Sequence, residues 1–304
     1  MTSEKNSIRI HQIRSFCAIF PDSCVILHYI FHEEEFLPKI EFLLDTVADV
    51  PCEILPQVNT EIAKKLFEAT NEFGKTIDEF RKISQSILNL PLDKVIINKK
   101  TSELIEEVFK RLFSQISRFH FPTLADKDAA LRRTRVIEAS LMLSVWNILN
   151  KSETISLDSF LKRLEDGYKN KYIEFCDKQS VFMDRMNAKL LKEADLFETT
   201  SSFYNIILKC GVKNKSDVKV LCQAIGRMYK INKWCAVVTT DYTDIVKNSY
   251  LIEKFTLLRI SDPLYCIYHL DRRIDLSLKP TDEAAKNGIN YKDFFIKPKN
   301  IGVV

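Results

Sequence analysis

Short runs of apolar residues stand near both ends of the chain and predict buried β-strands. They occupy residues 15–20, 234–240 and 256–260, with a weaker fourth run at 52–55. The three stronger runs are continuous, whereas a strand with one solvent-exposed face alternates apolar and polar positions. Continuous runs are typical of strands covered on both faces of a parallel sheet. We therefore expect the two ends of the chain to build one parallel sheet.

Helical patterns lie between these runs. Apolar side chains recur every three or four residues over 36–47, 58–73 and 220–228, which is the spacing of a buried helical face. Ser216 stands where it would cap the third of these helices. Strands that alternate with helices indicate an α/β fold with helices packed on the sheet.

The middle of the chain has a different pattern. Between about 76 and 196 we find no convincing strand, and a helical period holds over 104–116, 126–150 and 157–198. The last stretch is long for a globular helix and predicts a helical arm. An all-helical block inside an α/β chain indicates an insertion. We therefore divide the chain into a first α/β half at 1–75, a helical insertion at 76–196, a second α/β half at 197–270 and a C-terminal tail at 271–304.

Composition excludes several classes of function. The chain contains 6 glycines in 304 residues, and no two of them are close together. A dinucleotide-binding fingerprint and a kinase glycine loop both need clustered glycines, so both are excluded. The net charge of +4 permits nucleic acid as a partner without requiring it.

The cysteines and the hydropathy bear on the cellular location. Eight cysteines show neither a CxxC pair nor a dense framework, which disfavours structural zinc and a disulfide scaffold and indicates a reducing compartment. The N-terminal residues lack the apolar core of a signal peptide, and no stretch is apolar over the roughly 18 residues of a membrane span. We expect a soluble, cytoplasmic protein without a membrane segment.

Acidic residues follow the predicted strands, at the edge where parallel α/β sheets bind ligands. Asp22 and Asp241 each follow an apolar run, and Glu61 lies near the start of the helix after the 52–55 run. Asp217 opens a later helix, on its apolar face. Four carboxylates at one edge would repel one another unless cations neutralise them. Because oxygen ligands select hard ions, the sequence predicts a Mg²⁺ or Mn²⁺ site.

Four blocks of the chain resemble the acidic blocks of the PIN-domain nuclease family: PDSCVILHYI, PQVNTEIAKKL, SDVKVLCQA and VVTTDYTDI, in this order. The matching residues are the acids Asp22, Glu61, Asp217 and Asp241, the threonine Thr239 and the auxiliary acid Asp244. The resemblance implies a three-layer α/β/α fold with a parallel sheet, interrupted here by the all-α insertion. It also implies an endoribonuclease whose acids bind Mg²⁺ or Mn²⁺ to activate water, with Thr239 contacting the substrate.

Each acid also has an ordinary structural explanation. Asp22 and Asp241 suit turns after strands. Asp217 suits the N-terminus of a helix, and Glu61 suits an ion pair with Lys65. The competing class of function is a non-catalytic module that uses the same fold to bind RNA or protein.

Two further motifs resemble ligand-binding sites, one for a nucleotide and one for a metal. Residues 69–76, ATNEFGKT, match a loose phosphate-loop pattern and suggest nucleotide binding as an outside alternative. Their flank is helical in period, so a helix that ends at Gly74 is the better explanation. His28 and His32 are spaced to chelate a metal on a helix, but no third ligand lies near them in sequence, so packing explains them better.

Basic residues of the insertion form a candidate RNA surface. Arg132, Arg133 and Arg135, with aromatic residues nearby, could track an RNA backbone. A solvated helical surface over core aromatics is the simpler explanation. The arm at 157–198 could instead bind a protein partner or form a homodimer.

Overall fold

The computed structural model describes residues 16–46, 50–88, 90–117, 139, 143–150, 154–264 and 275–296. The chain divides into two compact units. One, the sheet unit, combines residues 1–62 with 179–304, and the other, the central unit, comprises 63–178. The predicted insertion at 76–196 overlaps the central unit, whose boundaries lie earlier in the chain at both ends.

Short strands and longer helices alternate along the described residues. The strands are β1 (Ala18–Pro21), β2 (Glu53–Ile54), β3 (Ile96–Asn98), β4 (Thr154–Ser156), β5 (Lys189–Leu190), β6 (Cys235–Val238) and β7 (Arg259–Ser261). The helices are α1 (Ser23–Ile30), α2 (Leu37–Thr46), α3 (Pro56–Leu88), α4 (Lys99–Ser117), α5 (Leu157–Arg185), α6 (Ser201–Lys209), α7 (Lys215–Ile231), α8 (Ser249–Thr256) and α9 (Pro280–Lys286). Residues 143–150 are also helical. The mixed α/β class and the four strands predicted from apolar runs are confirmed.

The sheet unit is organised around three parallel strands in the order β1-β6-β7. Ala18 pairs with Cys235, and Ala236 pairs with Arg259. A parallel bridge from Ile19 to Cys52 attaches the parallel pair β2 and β5 beside β1. The resulting order is β5-β2-β1-β6-β7. Because successive strands of this unit are added first on one side of β1 and then on the other, the topological switch point lies between β1 and β6.

The central strands are buried because helices cover them. All four residues of β6 are fully buried, and α7 packs against this strand. Helix α7 is capped by Asn214, whose side chain accepts a 2.9 Å hydrogen bond from the amide of Ser216. The predicted Ser216 cap is therefore wrong by two residues. Gly226 lets α7 approach the backbone of Phe197, since a Cβ at Gly226 would lie 2.5 Å from that carbonyl oxygen.

Three expectations for the middle of the chain are wrong. Strands β3 and β4 pair antiparallel in a region for which no strand was predicted, because three residues are too few to show a period. Helix α3 continues through 69–76 to Leu88, so Gly74 does not end a helix. Helix α5 ends at Arg185, and β5 and the 3₁₀ turn Glu193–Asp195 replace the end of the predicted arm.

Three further observations concern the remaining expectations. No helix within the described ranges combines the length and the apolar character that crossing a membrane requires. The described part of the predicted tail packs within the sheet unit, where the Trp234 indole donates a 2.7 Å hydrogen bond to the carbonyl of Leu278 and where α9 buries Glu283 and Ala284. The described cysteines are free thiols.

Candidate functional site

Asp22 lies at the carboxyl end of β1 and caps helix α1. It is 3% exposed, and its Oδ1 accepts a 2.7 Å hydrogen bond from the amide of Ser23. Its Oδ2 accepts a 2.8 Å bond from the hydroxyl of Thr239 and a 3.2 Å bond from the Cys24 thiol. The carboxylate is thus fixed at the switch point of the sheet.

Thr239 joins the two central strands at this edge. It follows β6, is fully buried, and its Oγ1 accepts a 3.0 Å hydrogen bond from the amide of Asp241 while donating to Asp22. The hydroxyl is therefore held by hydrogen bonds inside the protein and links Asp22 to the backbone before Asp241. The expected substrate contact of Thr239 stays a prediction.

Asp241 organises the turn that follows β6. Its Oδ1 accepts hydrogen bonds from the amide and the hydroxyl of Thr243, at 3.0 and 2.9 Å, and from the amide of Asp244 at 2.9 Å. The explanation of Asp241 as a turn residue is therefore confirmed. All three of these bonds use Oδ1, and the residue is partly exposed.

Asp217 carries a buried carboxyl in the first turn of α7. It is 6% exposed, and its Oδ2 has no hydrogen-bond partner among the described residues. Burial is the main cause that raises the pKa of Asp217 from 3.8 to about 9. The other causes are the negative charges of four neighbouring acids, in decreasing order Asp22, Asp241, Glu61 and Asp244. The structure thus brings the other four predicted acids within electrostatic reach of Asp217.

Glu61, near the start of α3, also belongs to this group of acids. Its Oε2 accepts a 3.1 Å hydrogen bond from Ser216, whose hydroxyl also accepts from the Gln57 side chain at 3.0 Å. Burial and the charge of Glu61 raise the pKa of Asp22 to about 6, against the lowering effect of its hydrogen bonds. Lys65 pairs with Glu68 at 3.2 Å, so the alternative ion pair between Glu61 and Lys65 is wrong.

Asp244 holds the loop that leads into α7. Its two carboxylate oxygens accept 3.0 and 2.9 Å bonds from the amide of Lys213, and Oδ2 accepts a 2.9 Å bond from the amide of Asn214. Lys213 on this loop and Lys215 at the start of α7 are both exposed. Two buried acids and three partly exposed ones therefore have exposed cations beside them, although the net charge of the chain is small.

Two side chains at this edge of the sheet were not among the predicted site residues. The Cys24 thiol lies 3.4 Å from the Thr239 hydroxyl as well as against Asp22, and burial followed by the charge of Asp22 raises its pKa. Asp262, 5% exposed, directly follows β7 at the same edge. Its position after an apolar run was a usable signal, whereas nothing in the sequence distinguished Cys24 from the other cysteines.

The two histidines do not form a chelating pair on one helix. His28 is buried in α1, with Nε2 2.9 Å from the Thr240 hydroxyl and Nδ1 2.8 Å from Glu33. His32 lies beyond the end of α1, at φ 53°. The packing explanation for His28 is confirmed, and its bond to Thr240 adds support to the segment that carries Asp241.

The remaining site predictions concern the metal ion, the RNA-contacting arginines and the phosphate loop. Across the described ranges, no three side chains of His, Cys, Asp or Glu are grouped so as to hold a metal ion. Arg132, Arg133 and Arg135, predicted to contact RNA, lie outside the described residues. The phosphate-loop hypothesis is wrong in its structural requirement, because residues 69–76 lie inside α3 and form no loop between a strand and a helix.

Comparisons with known proteins add no assignment. The chain matches no protein-family model, and neither a curated protein nor a solved structure shows significant similarity to it.

Proposed function

We propose that this chain is a Mg²⁺- or Mn²⁺-dependent nuclease that hydrolyses RNA phosphodiester bonds at the acids beside the sheet switch point. The observation that supports this proposal most strongly is the carboxyl of Asp217. It is 6% exposed, its Oδ2 has no hydrogen-bond partner among the described residues, and the negative charges of four other acids act on it. A buried carboxyl in such surroundings is costly unless it is protonated or a cation neutralises it.

The position of the acids supports a ligand site over a purely structural cluster. Asp22 and Asp241 follow β1 and β6, the two strands on either side of the switch point. Open parallel α/β sheets bind their ligands in the crevice at this place. Asp22 and Asp241 are the two charges that act most strongly on the buried carboxyl of Asp217, which supports a place for this carboxyl in the same crevice.

Each side chain of the site would have its own role in the proposed reaction. Asp22, Asp217 and Asp241 would hold the cation, with Glu61 at the edge of the group, and Asp244 would keep the loop of Lys213 in place. Thr239 would orient Asp22 through its 2.8 Å hydrogen bond. The metal, when bound, would neutralise the carboxylates and activate a water for attack on phosphorus. Exposed Lys213 and Lys215 would attract the phosphate backbone.

The same proposal extends to the fold family and the cellular location. The parallel order β5-β2-β1-β6-β7, with acids at the switch point, supports a PIN-like three-layer arrangement for the sheet unit. The free thiols of the described cysteines support a reducing, cytoplasmic location.

The competing function is a non-catalytic module of the same fold that binds RNA or protein. One observation favours it: among the described residues, no group of three potential ligands is assembled for a metal. Catalysis would therefore require a cation to draw the carboxylates together. Without such a change, the basic loop and the helices alone would carry the function.

A cleavage assay separates the two functions. Labelled single-stranded and structured RNAs would be incubated with the protein in Mn²⁺, Mg²⁺ or EDTA, beside Asp241→Asn and the exposed-acid control Glu34→Gln. The nuclease proposal expects cleavage with metal, none in EDTA, and loss in Asp241→Asn alone. Metal-independent cleavage, or cleavage that persists in Asp241→Asn, would contradict the site. RNA binding without cleavage under any metal would favour the non-catalytic module.

A further inference from the structure

An aromatic ring and a cation lie together on the turn beside the acids. Tyr242 directly follows Asp241 and is 38% exposed. The ammonium of Lys39, near the start of α2, lies 5.8 Å from the centroid of the Tyr242 ring. The tyrosine is exposed and the lysine half-buried, and neither has a part in the functions argued above.

Two sets of contacts hold the pair in place. The amide of Tyr242 donates a 3.0 Å hydrogen bond to the carbonyl of Thr240, within the turn that the Asp241 carboxylate fixes. The Lys39 ammonium also lies 5.7 Å from the Phe36 ring, which stacks on buried His28 at 3.9 Å. The cation is thus positioned between a buried ring and an exposed one, so the ring and the charge are presented together before any ligand binds.

An exposed ring with an adjacent cation suits an unpaired nucleotide. A base stacks on an aromatic ring regardless of its sequence, and a lysine contacts the phosphate of the same strand. A base in a duplex has both faces covered by its neighbours and cannot stack on the ring. Tyr242 and Asp241 belong to the same turn, so a strand whose phosphate binds at the acids would pass beside the turn that carries this ring.

We propose that Tyr242 and Lys39 form a nucleotide subsite in which Tyr242 stacks on an unpaired base and Lys39 contacts its phosphate. This inference rests on the proposed action of the same site on RNA and deepens it. It makes an unpaired nucleotide beside the scissile phosphate the feature that the protein recognises.

The chain offers a matched control for this pair. Tyr250, at the start of α8, is 42% exposed, and the Lys254 ammonium lies 6.0 Å from its ring centroid. The two pairs have the same chemistry and the two tyrosines nearly the same exposure, but only Tyr242 adjoins one of the acids in the chain. A general effect of removing an exposed tyrosine or lysine would appear equally at both places.

The test measures RNA binding apart from cleavage, in an Asp217→Asn background without divalent metal. Fluorescence anisotropy would follow a labelled, unstructured RNA of about 12 nucleotides and the duplex of the same sequence. We expect Tyr242→Ala to weaken single-strand binding at least about 5-fold, while Tyr242→Phe and Tyr250→Ala bind within about 2-fold of the parent, a change near the noise of such measurements. Lys39→Met should flatten the salt dependence of binding by about one charge, and Lys254→Met should not.

The outcomes separate this subsite from the proposed function. Parent protein that binds RNA, with Tyr242→Ala no weaker than Tyr250→Ala, would overturn the subsite and leave the nuclease proposal standing. Equal losses on single strand and duplex would overturn the stacking role. A parent protein that binds no RNA would overturn the RNA function and the subsite with it. Urea unfolding of each variant establishes that it is folded.

Discussion

The hydroxyl of Thr239 donates a 2.8 Å hydrogen bond to Oδ2 of Asp22, so a side chain after β6 fixes the acid that follows β1. The two residues are 217 positions apart in the chain. The same hydroxyl accepts from the amide of Asp241. One buried group therefore sets the relative positions of two acids that the proposed cation site requires.

Removal of the Thr239 hydroxyl should lower the free energy of unfolding more than removal of the Thr239 methyl group. In Thr239→Val, Asp22 loses a donor and the Asp241 amide loses its acceptor, which should lower the free energy of unfolding by about 1–3 kcal/mol. Thr239→Ser keeps the hydroxyl and should cost about 0.8 kcal/mol, the value of one buried methylene. Urea unfolding measures both. Equal stability of the two variants would show that the hydrogen bonds contribute nothing.

The buried carboxyl of Asp217 should give the metal-free protein an unusual pH dependence. Its pKa rises from 3.8 to about 9 on folding, so between these values the folded chain keeps a proton that the unfolded chain has lost. The free energy of unfolding should therefore fall as pH rises from about 4 to about 9. Asp22, with its pKa raised to about 6, adds to the fall at the acidic end of this window.

Neutralisation of Asp217 should remove most of this slope. In EDTA near neutral pH, Asp217→Asn should raise the free energy of unfolding by about 1–3 kcal/mol over the parent. This corresponds to about one to two pKa units. Urea unfolding at several pH values measures the slope, and Glu34→Gln, an exposed acid of the same unit, serves as the control. A parent slope that persists unchanged in Asp217→Asn would mean that this carboxyl is ionised without cost.

The packing of α7, the helix that carries Asp217, depends on one glycine. A Cβ at Gly226 would lie 2.5 Å from the carbonyl oxygen of Phe197, so Gly226→Ala should cost about 1–3 kcal/mol through overpacking. Gly167→Ala in α5 is the matched helical control, because its nearest atom would be 4.0 Å away. It should stabilise by about 0.5–1 kcal/mol. Thermal unfolding compares the two, and a stabilising Gly226→Ala would refute the close contact.

The strands that carry the acids were predictable because burial on both faces leaves a continuous apolar run. Residues 234–240 contain β6, and the acid after it follows from that boundary. The helix of Asp217 was predictable from its apolar face, and the side chain is buried as expected. The edge of a parallel sheet then brings these acids together, since its strands end on one side.

The parts that were missed depend on contacts between distant residues. Strands β3 and β5 have three and two residues and exist through pairing with other segments, so no local period marks them. The bond from Thr239 to Asp22, the cap at Asn214 and the thiol of Cys24 are likewise products of tertiary packing. Helix α3 runs through Gly74 because a single helical glycine costs only about 1 kcal/mol against the rest of a long helix.

Direct measurement of Mn²⁺ binding tests the central claim that these carboxylates hold a cation. Isothermal titration calorimetry near neutral pH would compare the parent, Asp217→Asn and the exposed-acid control Glu34→Gln. We expect the parent and Glu34→Gln to bind Mn²⁺ with the same affinity, and Asp217→Asn to bind at least about 10-fold more weakly. Mn²⁺ binding that is absent from the parent, or that is unchanged in Asp217→Asn, would contradict the account.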